Sequence, residues 1–156
     1  MIKAYRLTKQ RYQDTAMDGE GAARYGGRWN SPGQRVVYTS GSLALAMLEI
    51  LVNLEDESTL HDAYVAFELS IPDELALYLD DALTEGWREN PPNAISRAIG
   101  DEWIISESSV VLAVPSAVIP LEYNFLVDPN HPDFGKIVVE GPFAVDVDPR
   151  LNKRPG

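Results

Sequence analysis

The sequence contains no cysteine, which excludes disulfides, thiolate metal ligands and a cysteine nucleophile. No uninterrupted apolar run approaches the roughly 18 to 20 residues of a membrane-spanning helix, and the N-terminus lacks the apolar region of a signal peptide. Basic residues are scarce, since 13 Lys and Arg stand against 24 Asp and Glu, for a net charge of -11. Nucleic-acid binding requires many basic groups, so this deficit argues against a direct nucleic-acid partner. We therefore expect a soluble cytoplasmic protein without membrane contact.

The few basic residues are concentrated at the start of the chain. Residues 1–35 carry seven Lys or Arg against three Asp or Glu, whereas the remainder carries six against twenty-one. Five arginines in this part could line a local positive pocket for a phosphate-bearing molecule, or could be solvated surface charges. They are Arg6, Arg11, Arg24, Arg28 and Arg35.

The length of 156 residues fits one domain. Alternating or β-branched segments predict short strands, and apolar residues at helical spacing predict two main helices. The predicted strands are 2–7, 36–39, 63–71, 110–114, 124–127, and a hairpin of 137–139 and 143–147 divided at Gly141-Pro142. One predicted helix begins after an N-cap at Ser40 or Ser42, and the other spans 93–105. Residues 14–25 lack periodicity and predict a loop. Six or so strands with two main helices indicate an α+β fold.

Glu49 is the most informative single residue. No other side chain between Arg35 and Glu55 is charged, and Glu49 lies within a helical segment that is apolar on nearly every side. Such helices are usually core helices, where an unpaired carboxylate is costly to bury. Glu49 is therefore either paired with a core arginine or functional.

Four groups of residues resemble motifs of the RES domain family. They are Tyr5-Arg6-Leu7; Gly26-Gly27-Arg28-Trp29-Asn30; Val37-Tyr38-Thr39-Ser40 with Ala44-Leu45-Ala46-Met47-Leu48-Glu49; and Val114-Pro115-Ser116-Ala117 leading to Asn124 and Asn130-His131-Pro132. They follow the family's order over most of the chain, and the Gly-Gly-Arg-Trp-Asn element is the most specific. The resemblance implies a RES domain over residues 1–148 and a flexible tail over 149–156.

The family resemblance also implies a fold, an activity and a partner. The fold would be similar to that of ADP-ribosyltransferase toxins, with short mixed and antiparallel strands. The protein would be the toxin of a toxin–antitoxin pair, would degrade NAD, and would be held inactive by an Xre-like antitoxin with a helix-turn-helix domain; a homodimer is compatible with the family. The implied catalytic residues are Glu49, Arg28 and Ser116, and the implied NAD-binding residues are Arg6, Arg28, Tyr38 and Asn30.

The chemistry of NAD cleavage suits these residue types. Breaking the nicotinamide–ribose bond creates an oxocarbenium-like centre, which a carboxylate such as Glu49 can stabilise. The guanidinium groups of Arg28 and Arg6 can bind a diphosphate at two points, and the Tyr38 ring can stack on nicotinamide. The sequence has no glycine-rich strand-to-helix fingerprint of dinucleotide-binding folds. NAD is therefore expected as a substrate, with phosphate as a possible co-substrate and no cofactor.

The identity of the family serine stays open at this point. Ser116, at the end of a predicted strand, would offer a hydroxyl to a ribose or to the nicotinamide amide. Ser106, Ser108 and Ser109 compete with it for this role.

Other polar residues have simpler explanations. Taken without the resemblance, Asn30 and Asn124 are more typical of turns and loops than of ligand binding. His61 and His131 are far apart in sequence and have no carboxylate at ligand spacing. We therefore expect no metal site.

Three functions remain compatible with the sequence. The first is cleavage of NAD with transfer of ADP-ribose to phosphate or to water, as an NAD phosphorylase or glycohydrolase. The second is transfer of ADP-ribose to a protein, which would use the same substrate-binding residues. The third is a non-catalytic module that only docks a partner.

Overall fold

The computed structural model describes residues 1–54, 62–79, 83 and 85–152. Within these ranges the strands are β1 (Ile2–Lys9), β2 (Val37–Ser40), β3 (Tyr64–Ile71), β4 (Ala76–Tyr78), β5 (Val111–Pro115), β6 (Tyr123–Val127) and β7 (Val138–Val145). The α-helices are α1 (Glu20–Tyr25), α2 (Leu43–Val52) and α3 (Ala94–Ser106). The seven strands form one sheet in the order β4-β5-β6-β2-β1-β3-β7. The predicted α+β class is confirmed.

The sheet is mixed because β4 and β5 run parallel, whereas the other neighbouring strands are antiparallel. Along β5, Val111 and Ala113 belong to one hydrophobic cluster, and Leu112 and Val114 belong to another. The strand is therefore buried on both faces. This explains why its sequence is a continuous apolar run and does not alternate.

Side-chain caps fix where the two longer helices begin. The Ser42 side chain accepts a hydrogen bond from the Leu45 amide at the start of α2, and the Asn93 side chain accepts one from the Ile95 amide at the start of α3. Ser42, and not Ser40, is thus the N-cap of α2. Within the described ranges, none of the helices combines the length and apolar character needed to cross a membrane.

The helix that carries Glu49 is less buried than its composition predicts. Only Leu45 and Ala46 of α2 are fully buried, and Ala46 packs in a cluster with Leu7 on β1. Val52 is 58% exposed. The expectation of a core helix was wrong because α2 covers only one part of the sheet, and composition does not show how many of a helix's sides are covered.

Two further expectations differ from the structure. Residues 14–25 are not all loop, since α1 occupies Glu20–Tyr25. The predicted hairpin at residues 137–147 is one strand, β7, whose pairing with β3 shifts register between Ala66 and Glu68. Gly141 has a φ of 124°, and a Cβ there would lie 2.8 Å from the Ala66 carbonyl oxygen. Its conformational freedom therefore serves an irregularity within a strand and not a turn.

The structure also differs from the sequence at strand β4 and in the expected C-terminal tail. Strand β4 was not predicted from the sequence. Residues Pro149–Asn152 of the expected tail form a 3-10 turn, and residues 153–156, like His61, lie outside the described residues.

Candidate active site

A cleft of about 960 Å³ gathers residues from distant parts of the chain. Four residues that the sequence predicted for the site line it, from β1, the loop before β2, β2 and α2: Arg6, Arg28, Tyr38 and Glu49. Asn124 and Arg88 line it as well. Ser116 and Asn30 do not, although both contact residues that do.

The carboxylate of Glu49 is held on one oxygen by two donors. Its Oε1 accepts a hydrogen bond from Ser116 Oγ and one from Asn124 Nδ2, each at 2.7 Å. Among the described residues, no donor reaches the second oxygen, Oε2. The carboxylate is therefore fixed in orientation and keeps one oxygen for a ligand in the cleft.

Ser116 is held by its surroundings. Its side chain is 0% exposed, and its oxygen accepts hydrogen bonds from the amides of Val118 and Ile119. Because both lone pairs are used in this way, the single hydroxyl proton is donated to Glu49. The hydroxyl that was expected to contact a ribose or amide thus contacts the carboxylate in this structure.

The competing serines lie away from Glu49. Ser109 accepts from the Trp103 indole and donates to the Val111 carbonyl, and Ser106 donates to the Trp103 carbonyl. Ser108 is exposed and contacts Ser106. Ser116 is thus the serine that contacts the carboxylate.

Strand register brings Asn124 to Glu49. Ser40 on β2 pairs with Asn124 on β6, which in turn pairs with Val114 on β5. Ser40 Oγ donates to Asn124 Oδ1 at 2.8 Å, which directs the Nδ2 group of the amide to Glu49. From the sequence, Asn124 was interpreted as a residue more typical of turns and loops. Only its place in the family motif could have indicated its role.

Helix α3 fixes the loop that carries Arg28. Ser96 Oγ donates to the Arg28 carbonyl at 2.6 Å, and the Asp101 carboxylate accepts from the Ser31 amide and hydroxyl. Between them, Gly100 lies so close to the loop that a Cβ would be 1.6 Å from the Trp29 carbonyl oxygen. Gly100 is therefore the point where the helix and the loop meet.

Tyr38 and Asn30 stabilise the same loop from within. Tyr38 Oη donates to Asn30 Oδ1 at 2.6 Å and accepts from the Trp29 amide at 3.1 Å. Asn30 is 0% exposed, and its Nδ2 donates to the carbonyls of Ala22 and Gln34. Tyr38 lines the cleft. Asn30, for which the resemblance implied an NAD contact, does not line it, and its side chain forms hydrogen bonds within the loop.

Arg6 is a partly buried cation that donates to the backbone. Its Nε donates to the Ala16 carbonyl and its Nη1 to the Tyr38 carbonyl, both at 3.2 Å. Burial lowers the pKa of Arg6, and the charge of Asp18 opposes this. Within the described part of the chain, Arg6 forms no ion pair with a carboxylate. An anion bound in the cleft would stabilise its charge.

Arg28 has a similar environment. Its Nη1 donates to the carbonyls of Trp87 and Glu89, at 3.1 and 2.8 Å. Burial is the main cause that lowers the pKa of Arg28, the charge of Glu49 acts in the opposite direction, and Arg88 lowers it further. Arg28 too has no ion pair with the described carboxylates. The alternative that Glu49 pairs with a core arginine is therefore not seen among the described residues.

The remaining arginines of the first 35 residues do not line the cleft. Arg11 and Arg24 form ion pairs with Asp62 and Glu20, and Arg35 is exposed and donates to the Asp18 carbonyl. Arg88, from the acidic part of the chain, lines the cleft instead. The distribution of charge along the chain did not indicate Arg88 as a cleft residue.

Comparison with known proteins identifies the family of this chain. The model of the RES domain family matches residues 3–149. Toxin Res of Yersinia enterocolitica is 40% identical, with coverage of 94% of this chain and 97% of the relative. Toxin Res of Photorhabdus laumondii is 38% identical, with coverage of 86% of each chain. The Prs ADP-ribosylating toxin of a Sphingobium species is 36% identical, with coverage of 78% of each.

A solved structure shows the same fold. One chain of the crystal structure of the M. tuberculosis MbcT–MbcA toxin–antitoxin complex superposes with a TM-score of 0.76 and 23% identity, covering 97% of this chain and 86% of that chain. The fold extends over nearly the whole length of this protein. Because the family model also spans nearly the whole chain and the curated relatives exceed one third identity, this protein belongs to the RES domain family.

Proposed function

We propose that this protein is the toxin of a toxin–antitoxin pair and that it cleaves the nicotinamide–ribose bond of NAD. The observation that carries the proposal is the carboxylate of Glu49, held on Oε1 by Ser116 and Asn124 and open to the cleft on Oε2. A pre-oriented negative group of this kind stabilises positive charge that develops on a sugar. The names of the relatives, Toxin Res and ADP-ribosylating toxin, support a toxin that acts on NAD.

In this proposal Glu49 acts on the ribose next to nicotinamide. As the glycosidic bond lengthens, positive charge accumulates at the anomeric carbon and the ring oxygen. The free Oε2 can stabilise that charge directly or accept a hydrogen bond from a ribose hydroxyl. Nicotinamide leaves with the bonding electron pair, and an acceptor adds to the anomeric carbon.

The cations of the cleft bind the diphosphate. Arg6 and Arg28 are partly buried and form no ion pair with the described carboxylates, so an anionic ligand would compensate their charge. Tyr38, whose hydroxyl is committed to the loop, offers its ring face to nicotinamide. NAD is thus a substrate, and no cofactor is required.

The acceptor of ADP-ribose is either phosphate or water. Full-length protein, purified without antitoxin, is incubated with NAD in the presence and absence of inorganic phosphate, and nicotinamide and the ADP-ribosyl product are separated by chromatography. Release of nicotinamide supports the proposal. A phosphorylated ADP-ribose product identifies phosphorolysis, and free ADP-ribose identifies hydrolysis. No nicotinamide under either condition would contradict the proposal and leave a non-catalytic docking module.

Transfer of ADP-ribose to a protein is the second candidate, and the name of the Sphingobium relative favours it. It uses the same cleft and the same carboxylate, with a protein side chain as acceptor. Radioactive NAD with label in the ADP-ribose part separates the two activities in a cell extract. Label retained on a protein band supports transfer, and label found only in small molecules rejects it.

We further propose an Xre-like helix-turn-helix antitoxin as the partner. The fold is that of a chain found in a toxin–antitoxin complex, which supports an antitoxin. The net charge of -11 favours a basic partner such as a DNA-binding protein. A segment of the antitoxin that fills the cleft between Arg28 and Glu49 would inhibit by exclusion of NAD. A structure of the pair with an open cleft would contradict this mode of inhibition. Light scattering of the purified protein measures whether it forms a homodimer.

A further inference from the structure

A second arginine lies beside Arg28. Arg88 lies between Trp87 and Glu89 in the sequence. The guanidinium of Arg28 donates to the carbonyls of both of these neighbours. Arg88 Nε donates to the Ala117 carbonyl at 2.7 Å, next to Ser116. Arg88 thus connects the Arg28 segment with the loop that orients Glu49.

The positive charge of Arg88 acts on Arg28. Arg88 is one of the groups that lower the pKa of Arg28, after burial as the main cause. Among the described residues, neither arginine forms an ion pair with a carboxylate. The adjacent acid, Glu89, accepts a hydrogen bond from Asn93 through its Oε2. Two neighbouring cations without a carboxylate between them are stabilised when an anion binds to both.

Both arginines also retain donors. Arg28 uses Nη1 for its two bonds to backbone, and Arg88 uses Nε for its one. Arg28 Nε and Nη2 and both Nη groups of Arg88 form no hydrogen bond with the described residues. A guanidinium has five N–H donors in a planar fork that matches the oxygens of a phosphate. Arg88 is exposed and lines the cleft, so this pair is accessible from solvent.

We propose that Arg28 and Arg88 form a binding site for a phosphate group where the cleft meets solvent, with Arg88 as a substrate-binding residue. The inference rests on the proposed function for the origin of the ligand. The phosphate group is either part of the diphosphate of NAD or a free inorganic phosphate that serves as acceptor. The chemistry of recognition is the same for both.

The test is a calorimetric titration of full-length protein with two separate probes, ADP-ribose and inorganic phosphate. Arg88→Ala is expected to weaken binding of at least one probe by roughly 10-fold or more, the range of a lost charge-assisted hydrogen bond. Arg88→Lys, which keeps the charge but loses the fork, should lie between. Weaker binding of ADP-ribose alone identifies the diphosphate as the ligand, and weaker binding of inorganic phosphate identifies the free anion.

Two control variants separate direct binding from other effects. Arg35→Ala removes an equal charge from an exposed arginine that also donates to a backbone carbonyl and does not line the cleft. Ser108→Ala changes an exposed serine that does not line the cleft, without a change of charge. Both are expected to bind the two probes within about 2-fold of the wild-type affinity, a difference that corresponds to less than one hydrogen bond.

Three results would overturn the inference. They are wild-type affinity of Arg88→Ala for both probes, an equal loss of affinity in either control, or failure of the wild-type protein to bind either probe. Because the titration requires no turnover, it decides on this site even if the wild-type protein releases no nicotinamide. Nicotinamide release, measured separately, decides on the proposed function.

Discussion

Ser116 Oγ donates to Glu49 Oε1 at 2.7 Å and joins two residues that are 67 positions apart in sequence. The serine is fully buried at the end of β5, and the glutamate lines the cleft from α2. The contact fixes the one acidic side chain of α2 at a defined orientation. It also explains how a serine can matter for activity without contact to the substrate.

Replacement of this carboxylate should abolish activity and preserve the fold. Glu49→Gln keeps an oxygen that accepts from Ser116 and Asn124 but removes the negative charge. We expect NAD cleavage to fall by roughly 100-fold or more, as for other electrostatic groups in active sites. Nicotinamide release measures activity, and thermal unfolding tests the fold. Glu102→Gln, at an exposed acidic residue on α3, is the matched control. Full activity of Glu49→Gln would exclude Glu49 as the carboxylate that stabilises the developing charge.

Loss of the serine should affect both activity and stability. Ser116→Ala leaves the amides of Val118 and Ile119 without their acceptor and removes one of two donors to Glu49. An unsatisfied buried group costs about 1–3 kcal/mol. Because both amides are only partly buried, we expect a total stability loss of about that size, with a lower kcat and a nearly unchanged KM. Denaturant unfolding and steady-state kinetics measure these. Ser108→Ala, at an exposed serine, should change neither, and a selective rise of KM in Ser116→Ala would instead indicate direct substrate contact.

Two glycine-to-alanine changes in helices should have opposite effects. Gly100→Ala in α3 would place a Cβ 1.6 Å from the Trp29 carbonyl oxygen, which forces the helix and the loop apart. Gly21→Ala in α1 meets no atom within 4 Å. Alanine favours a helix over glycine by about 1 kcal/mol, so Gly21→Ala should be neutral or stabilising, whereas Gly100→Ala should destabilise by several kcal/mol. Thermal unfolding compares them directly, and a stable Gly100→Ala would disprove the close contact.

The hydroxyl of Tyr38 is expected to stabilise the loop of Arg28. Tyr38→Phe leaves Asn30 Oδ1 and the Trp29 amide without their partner but keeps the aromatic ring. The expected loss is about 1–3 kcal/mol of unfolding free energy. Substrate affinity should fall only because the loop that carries Arg28 is held less firmly. Denaturant unfolding measures it. Tyr25→Phe, at an exposed tyrosine, is the control and should leave stability unchanged.

The same tyrosine predicts a dependence of stability on alkaline pH. Burial raises the pKa of Tyr38 above its ordinary value of 10.0, and the hydrogen bond from the Trp29 amide opposes this shift. Above pH 10 the unfolded chain therefore releases this proton before the folded protein does, so stability falls as pH rises. The slope is at most about 1.4 kcal/mol per pH unit for one group. Unfolding at several pH values from 9 to 12 should show a smaller slope in Tyr38→Phe, and equal slopes would contradict the shift.

Most of the fold could be predicted from local sequence patterns. The strands before and after Glu49, the strand at β5 and the helix over 93–105 follow from β-branched runs and helical spacing, which act over a few residues. Helix α1 and strand β4 are too short to produce a periodic signal. The continuous β7 was interpreted as a hairpin because Gly141-Pro142 favours a turn, and only pairing with β3 gives it a strand conformation.

For the site, the sequence by itself determined the residue types: a single carboxylate in an apolar helical segment and a specific Gly-Gly-Arg-Trp-Asn element. The tertiary structure decided which groups meet. Asn124 contacts Glu49 because of strand register, and Ser116 is a buried donor because of two backbone amides. Arg28 donates to the backbone carbonyls on either side of Arg88. Such contacts depend on the pairing of strands and the packing of loops far apart in sequence, so no local pattern encodes them.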